Sequence, residues 1–368
     1  MILTRLELSN FRNYKQQQVE FSPEKNIIVG RNAQGKTNLL EAFYFLSHLK
    51  SNRAPRMREL VTEGLEKASV RGLIMDGEFR LNMHVSFGRR GRSIDVNGQK
   101  LESAARAKGL VKCVMFSPDD LYVIKGDPAR RREFLDETME ELGPVAAKAV
   151  LYYKHVLRQR NAVLRSWEEH GMSLNKVIEP WDDALARVGA EIVTDRINMV
   201  DKMARYAGGA YEEIAGESHG VAIKYKGTFE PAGPGKAQIE SSMREELDAA
   251  RSKEKRARTT VVGPHRDDVE LRLDGREAKF SASQGEQRTL AFCLRVAQKR
   301  YLEDETGKVP ITLLDDVLSE LDRERRAGVL RVAGAGSQSI ITTTDLLEDF
   351  EALGARVLRV ERGTVESV

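Results

Sequence analysis

Cysteine is nearly absent: only Cys113 and Cys293 occur in 368 residues. A disulfide framework and a four-cysteine zinc site are both excluded, and the apolar runs around the two residues mark them as buried thiols. Long apolar runs are also missing. No segment approaches the ~18 apolar residues a membrane helix needs. The amino terminus, "MILTRLELSNFRNY", alternates apolar and polar residues without the unbroken centre of a signal peptide. No membrane association is expected, and the expected compartment is the cytoplasm. Charge of one sign is scarce too. The net charge is +3 and the pI near 8.7, short of the pI of ~9 that would itself announce a nucleic-acid binder. Composition leaves DNA binding open, and the basic clusters at 89–92, 129–132 and 253–258 read first as solvated surface.

What is present is a folded chain, 41% hydrophobic and 31% charged, long enough for two domains or for one domain with an insertion. From Ile2 to Val29 the pattern predicts two strands joined by a turn at Ser22-Pro23, then a buried strand. Leu39, Leu40, Phe43 and Leu46 repeat at helical spacing. Residues 68–101 read as an antiparallel meander with turns at Asp76-Gly77 and Asn97-Gly98. Between 128 and 256 the chain reads as mostly helical, with Pro128 in a first helical turn. One stripe there is Leu151, Tyr152, Val156, Val163 and Leu164; another is Ile178, Trp181, Leu185, Val188 and Ile192. Glu179-Pro180 and "GTFEPAGPGK" are the expected breaks, and the stripes suit a compact helical unit better than a coiled-coil arm. After Thr259 come a hairpin about Asp274-Gly275 and a helix carrying Leu290, Leu294, Ala297 and Tyr301 on one face. Buried strands at 311–314 and 339–343 follow, then a hairpin around Gly363. The expected organisation is an α/β head split into 1–127 and 257–368, with an antiparallel β-subdomain, around a mainly helical insertion at 128–256.

Directly after the apolar run Ile27–Val29 stands "GRNAQGKTN". Gly30, Gly35, Lys36 and Thr37 occupy the fixed places of a phosphate loop, with Arg31, Asn32, Ala33, Gln34 and Asn38 completing the candidate nucleotide contacts. Such a loop turns backbone N–H groups toward phosphate, and the helix it opens adds its positive end. Lys36 would reach the β- and γ-phosphates of ATP and Thr37 would hold Mg²⁺. A strand ending "ITLLDD" supplies the acids: Asp315 for the Mg²⁺ shell, Asp316 to orient or deprotonate the attacking water. "SASQGEQRT" then places Ser283, Gln284, Gly285 and Glu286 at another helix start, a second anion site that resembles the core of the ABC-type signature. One nucleotide has no need of two such helix ends from one chain. The economical arrangement is therefore an ATP-dependent homodimer in which Ser283 reaches the partner's nucleotide.

The set "LSNFRNY", "GRNAQGKTNLLEA", "FSPDDLYVIKGDPARRREFLDE", "GPHRDD", "SQGEQRTLAFCLR" and "LLDDVLSELD" resembles the RecF family of bacterial DNA replication and repair proteins, relatives of SMC-type and ABC-type ATPase heads. The resemblance spans nearly the whole chain. It implies an ABC/SMC-type P-loop ATPase head, ATP-dependent binding of double-stranded and gapped DNA, and cooperation with RecO and RecR in loading recombinase. It also implies that Arg12 and Asn13 approach the nucleotide, that Arg53 lies near it, and that Ser319 and Asp322 cross the dimer interface. The pattern departs from transporters: no Gln stands within 117–120, Asp316 replaces a Glu, and Thr342-Thr343-Thr344 stand where a His is usual. Asp316 is one methylene shorter than Glu, so hydrolysis is expected to be slow, on the order of turnovers per minute or less against an enzyme median of ~10 s⁻¹; the resemblance implies a weak ATPase that depends on DNA. His265 reads as a structural or interface contact, and Arg266, Asp267 and Asp268 as an ion-pair cluster. A transporter subunit and an SMC-like structural head remain the competing readings.

Overall fold

The computed structural model describes residues 1–170, 173–216, 219–319, 321, 323–344 and 354–368. In chain order the elements are β1 (Ile2–Phe11), β2 (Tyr14–Glu20), β3 (Lys25–Val29), α1 (Lys36–His48), β4 (Lys67–Asp76), β5 (Phe79–Gly88), β6 (Gly91–Val96), β7 (Gln99–Lys100) and β8 (Cys113–Phe116). The middle holds α2 (Leu121–Lys125), α3 (Pro128–Leu142), α4 (Pro144–Ser166), α5 (Leu174–Ala215), β9 (Val221–Lys226), α6 (Lys236–Ala249) and α7 (Arg251–Ala257). The last third holds β10 (Asp268–Leu273), β11 (Arg276–Glu277), α8 (Ala278–Ser281), α9 (Gln284–Thr306), β12 (Ile311–Asp315), α10 (Arg323–Gly334), β13 (Ser339–Thr343), β14 (Arg356–Glu361) and β15 (Thr364–Ser367).

Three sheets form. The largest antiparallel one runs β2-β1-β4-β5-β6-β7, a smaller one β11-β10-β9, and the third runs β15-β14-β3-β13-β12-β8. In that third sheet every pairing is parallel except β14 with β15. Its strands are nearly continuous apolar runs because both faces are covered. Alternation divides those faces between two cores. Ile27, Val114, Phe116, Leu314 and Ile341 join the core built with α5 and α9. Ile28, Met115, Leu313 and Ile340 join the core shared with α1 and the large antiparallel sheet. Both cysteines are buried.

The meander, the hairpin at Asp274-Gly275 and the face of α9 appear where expected, with Leu290, Leu294, Ala297 and Tyr301 all buried. Four readings need correction. The first two strands turn at Arg12-Asn13, with Arg12 at φ 52°, while Ser22-Pro23 precedes β3. Pro180 does not break a helix: α5 runs through it for 42 residues, about 63 Å at 1.5 Å per residue. Leu174 and Ile178 pack there on Leu164 at the end of α4, so tertiary burial outweighs the amide lost at Pro180. In α4 the inward stripe is Val150, Tyr153, Val156, Arg160 and Leu164, while Leu151 and Tyr152 are exposed. Finally, β9 is a strand inside the mostly helical stretch, held by pairing with β10. The long α5 is no free arm; it lies against α4, α6, α9 and α10.

Candidate nucleotide-binding site

Sheet register builds the site. Thr342 of β13 is level with Ile28 on one side and Asp315 on the other, so the carboxyl ends of β3 and β12 are aligned across the strand between them. The chain leaving β3 curls through Ala33 at φ 64° and Gly35 at φ 119°, and Gly35 caps α1 without any side-chain bond. The first amides of α1 are thereby left to an anion. A side chain at Gly35 would be strained by its φ, and its Cβ would sit 2.6 Å from Asn13 Nδ2. At Gly30 a Cβ would strike the Val360 carbonyl at 2.4 Å, so that glycine serves close packing on β14.

Lys36 is buried, its Nζ donating to the carbonyls of Gly30 at 2.5 Å and Arg31 at 3.1 Å. The Thr37 hydroxyl donates to Asp315 Oδ1 at 2.9 Å, and Thr342 donates to the same oxygen at 2.9 Å. The Asp316 amide in turn donates to Thr342 Oγ1 at 3.0 Å. Asp316 adopts φ 53°, unusual for a residue with a Cβ, and its Oδ1 is buried without a hydrogen-bond partner. It lines a cleft with Asn32, Ala33, Gly35, Lys36, Thr37, Asn38 and Arg53. Two hard oxygen donors already in register, beside an orphaned carboxylate oxygen, fit an octahedral Mg²⁺ completed by phosphate and water.

Burial pushes the Asp315 carboxyl above its ordinary range, opposed by the hydroxyls of Thr37 and Thr342 and by the Arg53 charge. A folded acid that titrates above its unfolded value binds the extra proton between the two values. Its contribution to stability is therefore lost as pH rises through that window. Asp315→Asn is accordingly expected to raise the ligand-free melting temperature at pH 7 and to flatten its acid-side pH dependence, while weakening Mg²⁺-dependent nucleotide binding. Thermal melts at several pH values, with and without Mg²⁺ and ATP, measure both; a melting point below the parent's at pH 7 would contradict the sign.

Arg12 and Asn13 brace the loop from the β1–β2 turn. Asn13 donates to the Gln34 carbonyl at 2.9 Å and accepts from Asn38 at 2.9 Å. The Arg12 guanidinium forks onto the buried Glu41 carboxylate at 2.9 and 2.8 Å, and the Tyr14 hydroxyl donates to the Gly35 carbonyl at 3.0 Å. Arg53 donates to Asn38 Oδ1 at 3.3 Å. Tyr14 and Glu41 escaped sequence reasoning, and Thr342 stood out only as one of three threonines in place of the usual His, not as a partner of Asp315. Glu41 carried the clearest signal, a carboxylate between Leu40 and Ala42 on a buried helix, which has to be paired.

Ser283 to Glu286 do not line this cleft. Ser283 is exposed at the start of α9, accepting from the Glu286 amide at 3.3 Å while Glu286 accepts from the Ser283 amide at 2.6 Å, a closed capping box. The Ser319 hydroxyl donates to the Asp316 carbonyl at 2.8 Å; Glu320 and Asp322 lie outside the described residues. At 117–120, Asp120 accepts from the Ser117 amide and from Arg295 of α9. His265 is a structural contact: Tyr153 is 2.7 Å from its Nδ1 and the Thr260 carbonyl 3.2 Å from its Nε2, with burial lowering it to about 4. Arg131 pairs with Asp268 beside it.

Residues 2–362 match the family model described as the RecF/RecN/SMC N terminal domain. A DNA replication and repair protein RecF from Gloeobacter violaceus is 37% identical over 371 residues, covering 100% of this chain and 99% of the relative. The chain belongs to the RecF family. Another RecF, from Lactobacillus delbrueckii subsp. bulgaricus, is 35% identical and covers 94% of the chain and 91% of its own length. A solved structure of the recombination mediator protein RecF with ATP, in the RecFOR pathway, superposes with a TM-score of 0.90 at 34% identity, covering 100% of this chain and 97% of that one. An Smc head bound to the C-winged helix domain of ScpA superposes at 0.55 with 16% identity, which shows the shared ATPase-head fold. Among the described residues no helix is long and apolar enough to cross a membrane.

Proposed function

We propose that this chain is an ATP-switched DNA-binding protein of recombinational repair and replication-fork maintenance, in which two copies close around ATP and grip double-stranded or gapped DNA. The reading extends to work with RecO and RecR in loading recombinase, in the cytoplasm. It takes 1–127 and 257–368 as the head and 128–256 as the inserted helical domain. Full-length similarity to RecF proteins, one of them solved with ATP, supports it. The observation that carries it is the split between two half-sites. The loop, Thr37, Asp315 and Asp316 meet in one cleft, while the exposed Ser283 helix start lies outside that cleft.

Lys36 meets the β- and γ-phosphates, and the α1 amides cradle the rest. Thr37 and Asp315 would hold a Mg²⁺ ion, which would supply positive charge to the phosphate oxygens. Asp316 orients the attacking water and accepts its proton. Its carboxylate stops a methylene short of where Glu would reach, which keeps turnover well below ~10 s⁻¹. Slow hydrolysis lets the closed dimer act as a timed clamp, and DNA completes the water's alignment.

Ser283→Arg is the test. The larger, charged side chain is expected to leave ATP bound to the monomer, because the cleft does not contain Ser283. It should abolish ATP-induced dimerisation, read as the mass from light scattering with ATP and a gapped duplex. A variant that dimerises with ATP as the parent does would sink the composite site.

A further inference from the structure

The three basic clusters differ once folded. In the 129–132 cluster, Arg130 pairs with Glu133, Arg131 with Asp268, and Arg132 donates to the Asp267 carbonyl. In the 253–258 cluster, Lys255 lies over the Trp167 ring and Arg258 pairs with Glu168. Lys253 and Arg256 there are exposed and, among the described residues, have no side-chain ion pair or hydrogen bond, but no bond ties α7 to the nucleotide loop. At the tip between β5 and β6, Arg89 and Arg90 are exposed, and among the described residues their side chains have no ion pair or hydrogen bond. The same holds for Arg56 and Arg58, which lie before and within the short turn Met57–Leu60.

These four arginines belong to neighbouring elements. The turn Met57–Leu60 packs on β5, and Arg92, at the base of the tip, donates to the Leu49 carbonyl at 2.7 Å. The carboxylates in the adjoining 59–66 stretch are Glu59, Glu63 and Glu66, all exposed. Segment 51–59 is also tied to the phosphate-loop helix. Ser51 donates to Glu41 of α1 at 2.5 Å, Arg12 donates to the Glu59 carbonyl at 3.0 Å, and Arg53 lines the nucleotide cleft.

We propose that Arg56, Arg58, Arg89 and Arg90 form one surface of the head that grips the phosphate backbone of double-helical DNA. The proposal rests on the DNA-binding reading above and names the surface that carries it. Unpaired guanidiniums cost nothing to free from protein partners, and each phosphate they neutralise releases counterions. Exposure at a hairpin tip and an irregular turn suits contact with the phosphate backbone rather than base edges, so binding through this surface is insensitive to sequence. Because the turn and α1 share Glu41 and Arg12, the surface sits on the same rigid piece as the nucleotide loop.

The test is the quadruple variant R56Q/R58Q/R89Q/R90Q, compared with the parent and with K253Q/R256Q from the third cluster. Binding to duplex DNA with ATP present is titrated across salt concentrations, with duplex RNA of the same sequence and anionic lipid vesicles as parallel arms. Thermal melting checks that each variant is folded. The quadruple variant is expected to flatten the slope of log K against log salt by about 3 to 4 and to weaken duplex DNA binding by roughly 10²- to 10³-fold near physiological salt. The third-cluster variant should match the parent. An unchanged slope in a folded quadruple variant, a loss in K253Q/R256Q instead, or a loss confined to vesicles or to RNA would overturn the assignment. A parent that ignores duplex DNA with ATP present overturns the functional reading and this surface together.

Discussion

Lys36→Ala is expected to abolish ATP binding, with affinity falling at least about 100-fold in a fluorescent-nucleotide titration. The side chain is buried, and its ammonium already rests on the carbonyls of Gly30 and Arg31. The loop is thus wound about the cation before any phosphate arrives. Removing it costs charge-assisted hydrogen bonds of about 1.5–3 kcal/mol each, and two such bonds to phosphate exceed the ~2.7 kcal/mol that a 100-fold change represents. It also leaves two loop carbonyls without a donor they now have. Lys36→Arg is not a conservative rescue, because a planar fork cannot replace a compact point charge inside this curl. Affinity within about threefold of the parent would show that the nucleotide site lies elsewhere.

The largest stability effect is expected at Arg160. Its guanidinium is fully buried in α4 and donates to Asp182 of α5 at 2.8 Å, Glu254 of α7 at 2.6 Å and Thr260 at 2.8 Å. Each acceptor is further engaged: Glu254 accepts from the Val261 amide at 2.9 Å, and Asp182 from Arg251 at 2.5 Å. One residue thereby joins two long helices to the approach of the "GPHRDD" loop. Arg160→Ala leaves Glu254, also fully buried, without its cation. Breaking a buried ion pair in this way costs about 3–5 kcal/mol, measurable by urea denaturation. The triple change R160M/D182N/E254Q removes the charges together and is expected to recover most of that loss. A single-variant loss under about 1 kcal/mol, or a triple variant no better than the single, would contradict this account.

Where local chemistry decides, the fold is readable in the residues. Asn97 and Asp274 take positive φ beside Gly98 and Gly275 as those turn pairs require, and the α9 face follows helical spacing. Where long-range packing decides, it is not. Pro180 reads as a break, yet the contacts of Leu174 and Ile178 carry α5 through it. Leu151 and Tyr152 look like core, but the inward stripe passes through Arg160, whose burial becomes affordable only through Asp182 and Glu254 on other helices. The same division runs through the site. The loop and the acidic pair stand out as contiguous motifs, and the structure joins Thr37 to Asp315 across 278 positions. Thr342, which holds Asp315 and the Asp316 amide, is marked in the sequence only as the first of three threonines where transporters carry a His. Its role exists only once β13 lies between β3 and β12.

That placement of β3 bears on how the protein is made. Its two neighbours in the sheet, β13 and β14, are among the last strands synthesised, and the amides of Arg362 and Gly363 bond to Gln34 within the phosphate loop. A nascent chain that has completed its first three hundred residues has β3 with both edges open and no finished cradle. Nucleotide capture therefore waits until the chain through Gly363 has been made, and a chain cut short before β14 carries every residue of the loop without the ability to use it.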